Sequence, residues 1–284
     1  MAQTAAEELL TSETRVDYGP VPHTLTGVPL DECTWQMEGG EFLLRGEGEH
    51  YFHYRKGAGV TVERGPGADP SEESLWLNGS VYSAVASLNG LLPIHASAVA
   101  ANGGVFAFTG PAGAGKSTIV AALGARGLPM FCDDTLVLDL SDLERIICLP
   151  GHKRLKLTEK AIALTGAAEE ERVSPSIAKH YARSAAGEVR EALPLARLIF
   201  LEEGSEAAIL PVVGSERLLR LQDDHQTSRL FATARQFDRA GLFAHLARMA
   251  RQIDMARFVR PLEPSRFAEG IALAAEYVTS SART

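Results

Sequence analysis

The chain has 284 residues, with 28 Lys and Arg against 36 Asp and Glu, a formal net charge of −8. That acidic balance argues against a general nucleic-acid binder, and the 45% hydrophobic content is that of an ordinary globular chain able to bury a core. Three cysteines, Cys33, Cys132 and Cys148, make no disulfide framework or zinc-ligand spacing, which points to a reducing, cytoplasmic setting. The acidic start has no apolar h-region, and no apolar run approaches the roughly 20 residues of a membrane span, so neither a signal peptide nor a membrane partner is expected.

In chain order, residues 1–70 read as a small β-rich portion. Short strands at 41–45, 51–54 and 60–63 are separated by Gly-rich turns. The stretch Gly65-Pro66-Gly67-Ala68-Asp69-Pro70 is the clearest break, because Gly and Pro together oppose both helix and strand. Residues 71–284 then read as a second, larger unit. A helix over 72–88 is stopped by Asn89-Gly90, which tolerate the left-handed conformation that follows a helix end. Strands at 94–100 and 105–109 flank Ala101-Asn102-Gly103-Gly104, and Asn-Gly between β-prone runs is a strong hairpin signal. The strand entering the next motif is therefore expected to run antiparallel to its predecessor.

A helix is expected over 116–126, ended by Gly127. Strands follow at 130–132 and 136–140, and Thr158 is the expected N-cap of a short helix ending at Gly166. Residues 167–193 are charged and weakly patterned and read as loop and broken helix, with Glu169, Glu170 and Glu171 a solvated face. Strands at 195–201 and 208–213 come next. Leu242, Phe243, Leu246, Met249, Ala250 and Ile253 mark a helix by their spacing, and a strand at 256–259 and a last helix after Pro264-Ser265 close the chain.

Two motifs carry chemistry. Gly110-Pro111-Ala112-Gly113-Ala114-Gly115-Lys116-Ser117 fits the G-x-x-x-x-G-K-[ST] phosphate loop and lies between an expected strand and an expected helix. Its glycines let backbone N–H groups approach phosphate oxygens, and the helix start adds unpaired donors. Lys116 is placed to reach the β- and γ-phosphates of ATP, and the Ser117 hydroxyl to ligate Mg²⁺. The second motif is an apolar strand ending in Asp133-Asp134. Beside such a loop, two adjacent carboxylates can divide two tasks, one holding Mg²⁺ and one accepting a proton from an attacking hydroxyl. By itself the pair also suits a plain turn between strands. The shortness of the step from loop to carboxylates, together with the antiparallel hairpin, points away from Ras-like and RecA-like folds. His95, at the start of the preceding strand, can orient a carboxylate or modulate its pKa. Lys153, Arg154 and Lys156 form a basic cluster suited either to a solvated strand edge or to contact with phosphate or with an acceptor carboxylate.

Taken in order, Leu92-Pro93-Ile94-His95-Ala96-Ser97-Ala98-Val99, then Phe108-Thr109-Gly110 through Thr118, then Arg126-Gly127-Leu128 and Asp133-Asp134 resemble the C-terminal catalytic domain of HPr kinase/phosphorylase. The likeness is greater to the HPr-kinase-like peptide and protein serine kinases of bacteria, some of them encoded with lasso-peptide pathways. The motif block covers roughly residues 90–140. The resemblance implies a mixed, partly antiparallel α/β fold with a P-loop kinase core similar to phosphoenolpyruvate carboxykinase. It implies transfer of the γ-phosphoryl group of Mg²⁺-ATP to a serine of a peptide or small protein, a lasso-peptide precursor being one such acceptor. By motif position Asp133 is the base, Asp134 holds metal and His95 supports the aspartate. Residues 110–118, from Gly110 to Thr118, bind the nucleotide. The family's later signature of Glu, Arg and Gly is not matched, and residues 149–156 are basic instead. Family members can be oligomeric, and nothing in the sequence fixes a subunit count. Two other readings stay open: a regulatory ATP-binding or ATPase module, and a small-molecule kinase.

Overall fold

A computed structural model describes residues 3–222, 226–235 and 238–280. The N-terminal part begins with helix α1 (Ala5–Glu13), an element beyond the strands expected over residues 1–70. Thr4 caps it, accepting from the Glu7 N–H while the Glu7 carboxylate accepts from the Thr4 N–H. Strands β1 (Val16–Tyr18), β2 (Thr34–Glu38), β3 (Glu41–Arg45), β4 (Tyr51–Arg55) and β5 (Gly59–Glu63) form one sheet in the order β1-β5-β4-β3-β2. All its pairings are antiparallel except β1 with β5.

The helix expected over 72–88 is interrupted. It runs as α2 (Pro70–Trp76), a wide π turn (Leu77–Val81) and α3 (Tyr82–Leu88). Gly79 gives the turn little helical preference, and the Asn78 side-chain amide donates to the Ser74 carbonyl, competing for the ladder there. The N-terminal sheet and α3 share one core. Phe42, Phe52, Tyr54 and Val62 pack in the same cluster as Val85, Leu91, Val137 and Leu149.

The main sheet is mixed. It contains β6 (Leu92–Ile94), β7 (Ala96–Ala101), β8 (Gly104–Thr109), β9 (Met130–Cys132), β10 (Leu136–Asp139) and β11 (Ile147–Leu149), and is extended by later strands. β7 and β8 form the expected antiparallel hairpin, closed by Asn102 and Gly103 with positive φ, and β9 lies on the far side of β7. Helix α4 (Lys116–Gly124) connects β8 to β9.

The segment expected as loop and broken helix is instead a small sheet. β12 (Leu155–Leu157) pairs with β14 (Ile177–Ala182), which pairs with β13 (Glu169–Ser174). Helix α5 (Glu159–Thr165) separates β12 from β13 and is capped by Thr158 and Gly166 as expected. The run Glu169-Glu170-Glu171 has low strand propensity, and cations next to it offset that. Arg154 bonds Glu170 and Glu171, Arg183 bonds Glu170, and His180 lies against Glu169.

β15 (Leu193–Glu203) runs parallel to β8 on one side and to β17 (Asp254–Arg260) on the other, with β16 (Ala208–Pro211) antiparallel on β17. Helices α6 (Glu216–Leu221), α7 (Gln226–Ala234), α8 (Arg239–Gln252) and α9 (Phe267–Ser280) complete the fold. α4 and α9 cover one face of the sheet through Ile119, Leu123, Ile271 and Val278 against Phe106, Phe108 and Phe258. Met249 and Ile253 of the α8 region cover the other face against Leu198 and Phe200. This double cover explains why every residue of β8 is buried and why the strand reads as a continuous apolar run. No helix among the described residues is long and apolar enough to cross a membrane.

Candidate active site

The phosphate-loop residues lie where parallel strands β8, β15 and β17 end together, the place at which open α/β sheets present their sites. Thr109 closes β8, residues 110–115 form the loop, and Lys116 opens α4. Gly113 and Gly115 have φ of +82° and +86°, a region that a side chain would strain. Gly115 is the N-cap of α4, so Lys116, Ser117 and Thr118 occupy its first turn. Lys116 Nζ donates to the carbonyls of Gly110 at 2.8 Å and Pro111 at 3.1 Å, curling back over the loop. Burial pushes its ammonium below the usual lysine range, opposed by the charges of Asp134 and Asp133.

The two aspartates follow β9 and diverge. Asp134 sits in the left-handed region at φ +72°, which Asp tolerates better than most residues. Its neighbour Asp133 is 1% exposed. Asp133 Oδ1 accepts from Ser97 Oγ at 2.6 Å and from Ser117 Oγ at 2.8 Å, and Oδ2 accepts from the Lys156 N–H at 3.0 Å. Asp133 is therefore the carboxylate bonded to the phosphate-loop serine.

Asp134 lines a cleft of about 860 Å³, together with His95, residues 110–112 and Lys156. Its Oδ2 accepts from Lys156 Nζ at 2.5 Å, and its Oδ1 lies 3.4 Å from His95 Nδ1, which also contacts the Asp134 carbonyl at 2.9 Å. Burial pushes the Asp134 carboxyl up, but the Lys156 charge and hydrogen bond outweigh it and hold the group below the usual carboxylate range. Lys156 responds in the matching direction. Burial pushes it down, and Asp134 more than restores it.

Lys156 thus holds both aspartates, one through its backbone and one through its side chain. Strand alternation makes this possible, since Leu155 and Leu157 turn into the core and Lys156 turns the other way. The other members of the basic cluster go elsewhere. Arg154 stacks over the Tyr181 ring at 3.7 Å and bonds Glu170 and Glu171. Lys153 donates to the Phe131 carbonyl, and its Nζ lies 4.9 Å from the Phe131 ring centroid. Its contacts are thus with β9, and it does not line the cleft. Of the three residues expected as a basic cluster, Lys156 is the one that lines the cleft.

Arg260, which stands before Pro261 and which the sequence alone offers only as a residue able to reach the site, joins it from the end of β17. Its Nη2 donates to the Ala114 carbonyl inside the phosphate loop. Burial pushes its guanidinium down, and its Nε has no hydrogen-bond partner among the described residues. A Cβ at position 115 would come within 2.9 Å of Nη2, so glycine there also admits this arginine.

No protein-family model matches the sequence, and no curated protein matches it. Among solved structures, the HPr(Ser) kinase/phosphatase from Coxiella burnetii overlaps 66% of this chain and 87% of that chain, at 14% identity and a TM-score of 0.34. An overlap at that TM-score does not fix a common fold, and the site chemistry stands on the residues just described.

Proposed function

We propose that the chain is an ATP-dependent phosphotransferase, a kinase that moves the γ-phosphoryl group of Mg²⁺-ATP to a serine hydroxyl of a peptide or small protein. The observation that carries this is the split of the two aspartates, with Asp133 bonded to Ser117 and Asp134 open to the cleft. The donor chemistry suits magnesium. Ser117 Oγ and Asp133 Oδ1 are hard oxygen donors 2.8 Å apart at a helix start. Among the described residues no group of three or more His, Cys, Asp or Glu could hold a metal. Mg²⁺ is an ion that binds one or two carboxylates, waters and substrate phosphates rather than a protein cage. Bound there, Mg²⁺ would neutralise charge on the β- and γ-phosphate oxygens.

The division of labour is then the reverse of the one expected from motif position. Asp133 belongs with Ser117 on the metal side. Asp134 faces the acceptor and takes the hydroxyl proton as the oxygen bonds to the γ-phosphorus and the bond to the β-phosphate oxygen breaks. A carboxylate held below its usual range is a weak base. In a loose phosphoryl-transfer transition state the proton leaves late, so orienting the hydroxyl is its larger task. His95 and Lys156 fix that carboxylate. Lys116 exchanges its two loop carbonyls for phosphate oxygens, and Arg260 adds a charge beneath the loop. A purely regulatory ATP binder has no use for a second carboxylate aimed into a cleft.

The test is Asp134→Asn. Phosphopeptide formation should fall at least 100-fold, in the range typical of a lost general base, while ATP affinity stays within about threefold. Equal loss of ATP binding would mean that Asp134 serves the nucleotide instead.

A further inference from the structure

The cleft has two chemically opposite ends. One end carries the phosphate loop, with Arg260 donating to the Ala114 carbonyl within it and with Lys156 ion-paired to Asp134. The other is built by the N-terminal part and the helical run after it, through Cys33, Glu47, Glu72, Trp76, Ser80 and Ser83. Glu47 is exposed and forms no ion pair among the described residues. Glu72, in the first turn of α2, accepts from Ser176 Oγ at 2.7 Å, and it forms no ion pair with a basic side chain among the described residues. Partial burial and then the charges of Glu47, Glu32 and Glu72 push the Cys33 thiol up, which shows how closely these carboxylates crowd the rim.

A second observation at this end is independent of charge. Ser83 is 0% exposed, and its hydroxyl has no hydrogen-bond partner among the described residues, although the residue lines the cleft. Buried hydroxyls are rarely left unpaired, and this one belongs to a residue of the cleft wall. The wide turn of residues 77–81 carries Gly79 and Ser80 into the same wall, and such turns recur at functional sites. Trp76 adds an apolar surface along which the methylenes of a long basic side chain can lie.

We propose that this wall selects the acceptor: a peptide carrying an Arg or Lys close to the phosphorylated hydroxyl, its cation held between Glu47 and Glu72. The proposal rests on the phosphotransferase reading and gives the N-terminal sheet a task in specificity. The polarity is complementary, with the anionic triphosphate on the loop that Lys116 and Arg260 contact and the cationic residue beside Glu47 and Glu72.

The experiment uses the full chain, Mg²⁺, γ-labelled ATP and a serine-centred peptide library in which each flanking position is varied in turn. Peptides with Arg or Lys at one or more flanking positions should be labelled at least about tenfold faster than those with Asp or Glu there. In the Glu47→Gln/Glu72→Gln double variant that ratio should fall to within about threefold through KM, with kcat on the best peptide little changed. Glu47→Lys/Glu72→Lys should favour acidic peptides. Equal labelling of basic and acidic peptides, or a basic preference that survives in both variants, overturns the proposal while leaving the phosphotransferase reading intact. Label released only to water with every peptide overturns both.

Discussion

Replacing Asp133 by Asn separates the structural work of this side chain from its chemical work. The carboxylate accepts three hydrogen bonds, two from hydroxyls on Oδ1 and one from a backbone N–H on Oδ2. An asparagine can keep all three. With its amide nitrogen at the Oδ1 position it donates to Ser97 Oγ and Ser117 Oγ, which rotate to accept, and its oxygen still receives the Lys156 N–H. What is lost is charge assistance, about 1–2 kcal/mol in total. For a chain of this size that lowers Tm by roughly 2–4 °C. Asp133→Ala should do more damage. It leaves the Lys156 N–H buried without an acceptor, about 1–3 kcal/mol, and adds a cavity. The catalytic loss in Asp133→Asn should be far larger than its stability loss, about 10²- to 10³-fold, because a fixed charge beside the transferring phosphoryl group is gone. Thermal melting and initial rates of label transfer across a Mg²⁺ titration measure both. Transfer within threefold of the parent at every Mg²⁺ concentration would refute the placement of Asp133 on the metal side.

Other consequences follow from the same contacts. Lys116→Ala should abolish ATP-dependent activity with the fold intact, since its two bonds go only to loop carbonyls; full turnover, with an unchanged melting curve, would discard the phosphate-loop reading. Lys156→Gln should move the acidic limb of the kcat/KM profile to higher pH, because burial of Asp134 then loses its largest opposing charge and only His95 and Lys179 remain against it; a limb that stays in place would remove Asp134 from the proton path. Burial pushes Lys153 down to about 8, so the folded state binds its proton less readily than the unfolded chain. Its stabilising contribution is therefore present above the ordinary lysine pKa and lost as pH falls through about 8. Urea midpoints of the parent should rise between those limits relative to Lys153→Met, and parallel curves would contradict this.

Legibility in the sequence followed the range of the interactions. The β7–β8 hairpin was readable because Asn102-Gly103 encodes its turn locally, and α5 because Thr158 and Gly166 mark both ends. The Thr4 and Glu7 capping signature of α1 was equally local and could have been read. The strands β13 and β14 were not readable, because Glu169–Ser174 forms a strand only with Arg154 and Arg183 brought alongside. The same limit governs the site. The phosphate loop and the aspartate pair are contiguous motifs, whereas Arg260 reaches Ala114 across 146 residues. The separate surroundings of Asp133 and Asp134 depend on β12 packing beside the end of β9, so no spacing rule could have divided their roles. Lys156 was singled out for its charge, and its backbone N–H, equally important to Asp133, carries no sequence signal at all.

The most direct measurement is a mass balance on the γ-phosphoryl group. The chain is incubated with γ-labelled ATP, Mg²⁺ and serine peptides, and ADP, free phosphate and phosphoserine are quantified together. The account predicts Mg²⁺-dependent phosphoserine in step with ADP, abolished in Asp134→Asn. ADP accompanied only by free phosphate, in the presence of every peptide, would contradict it.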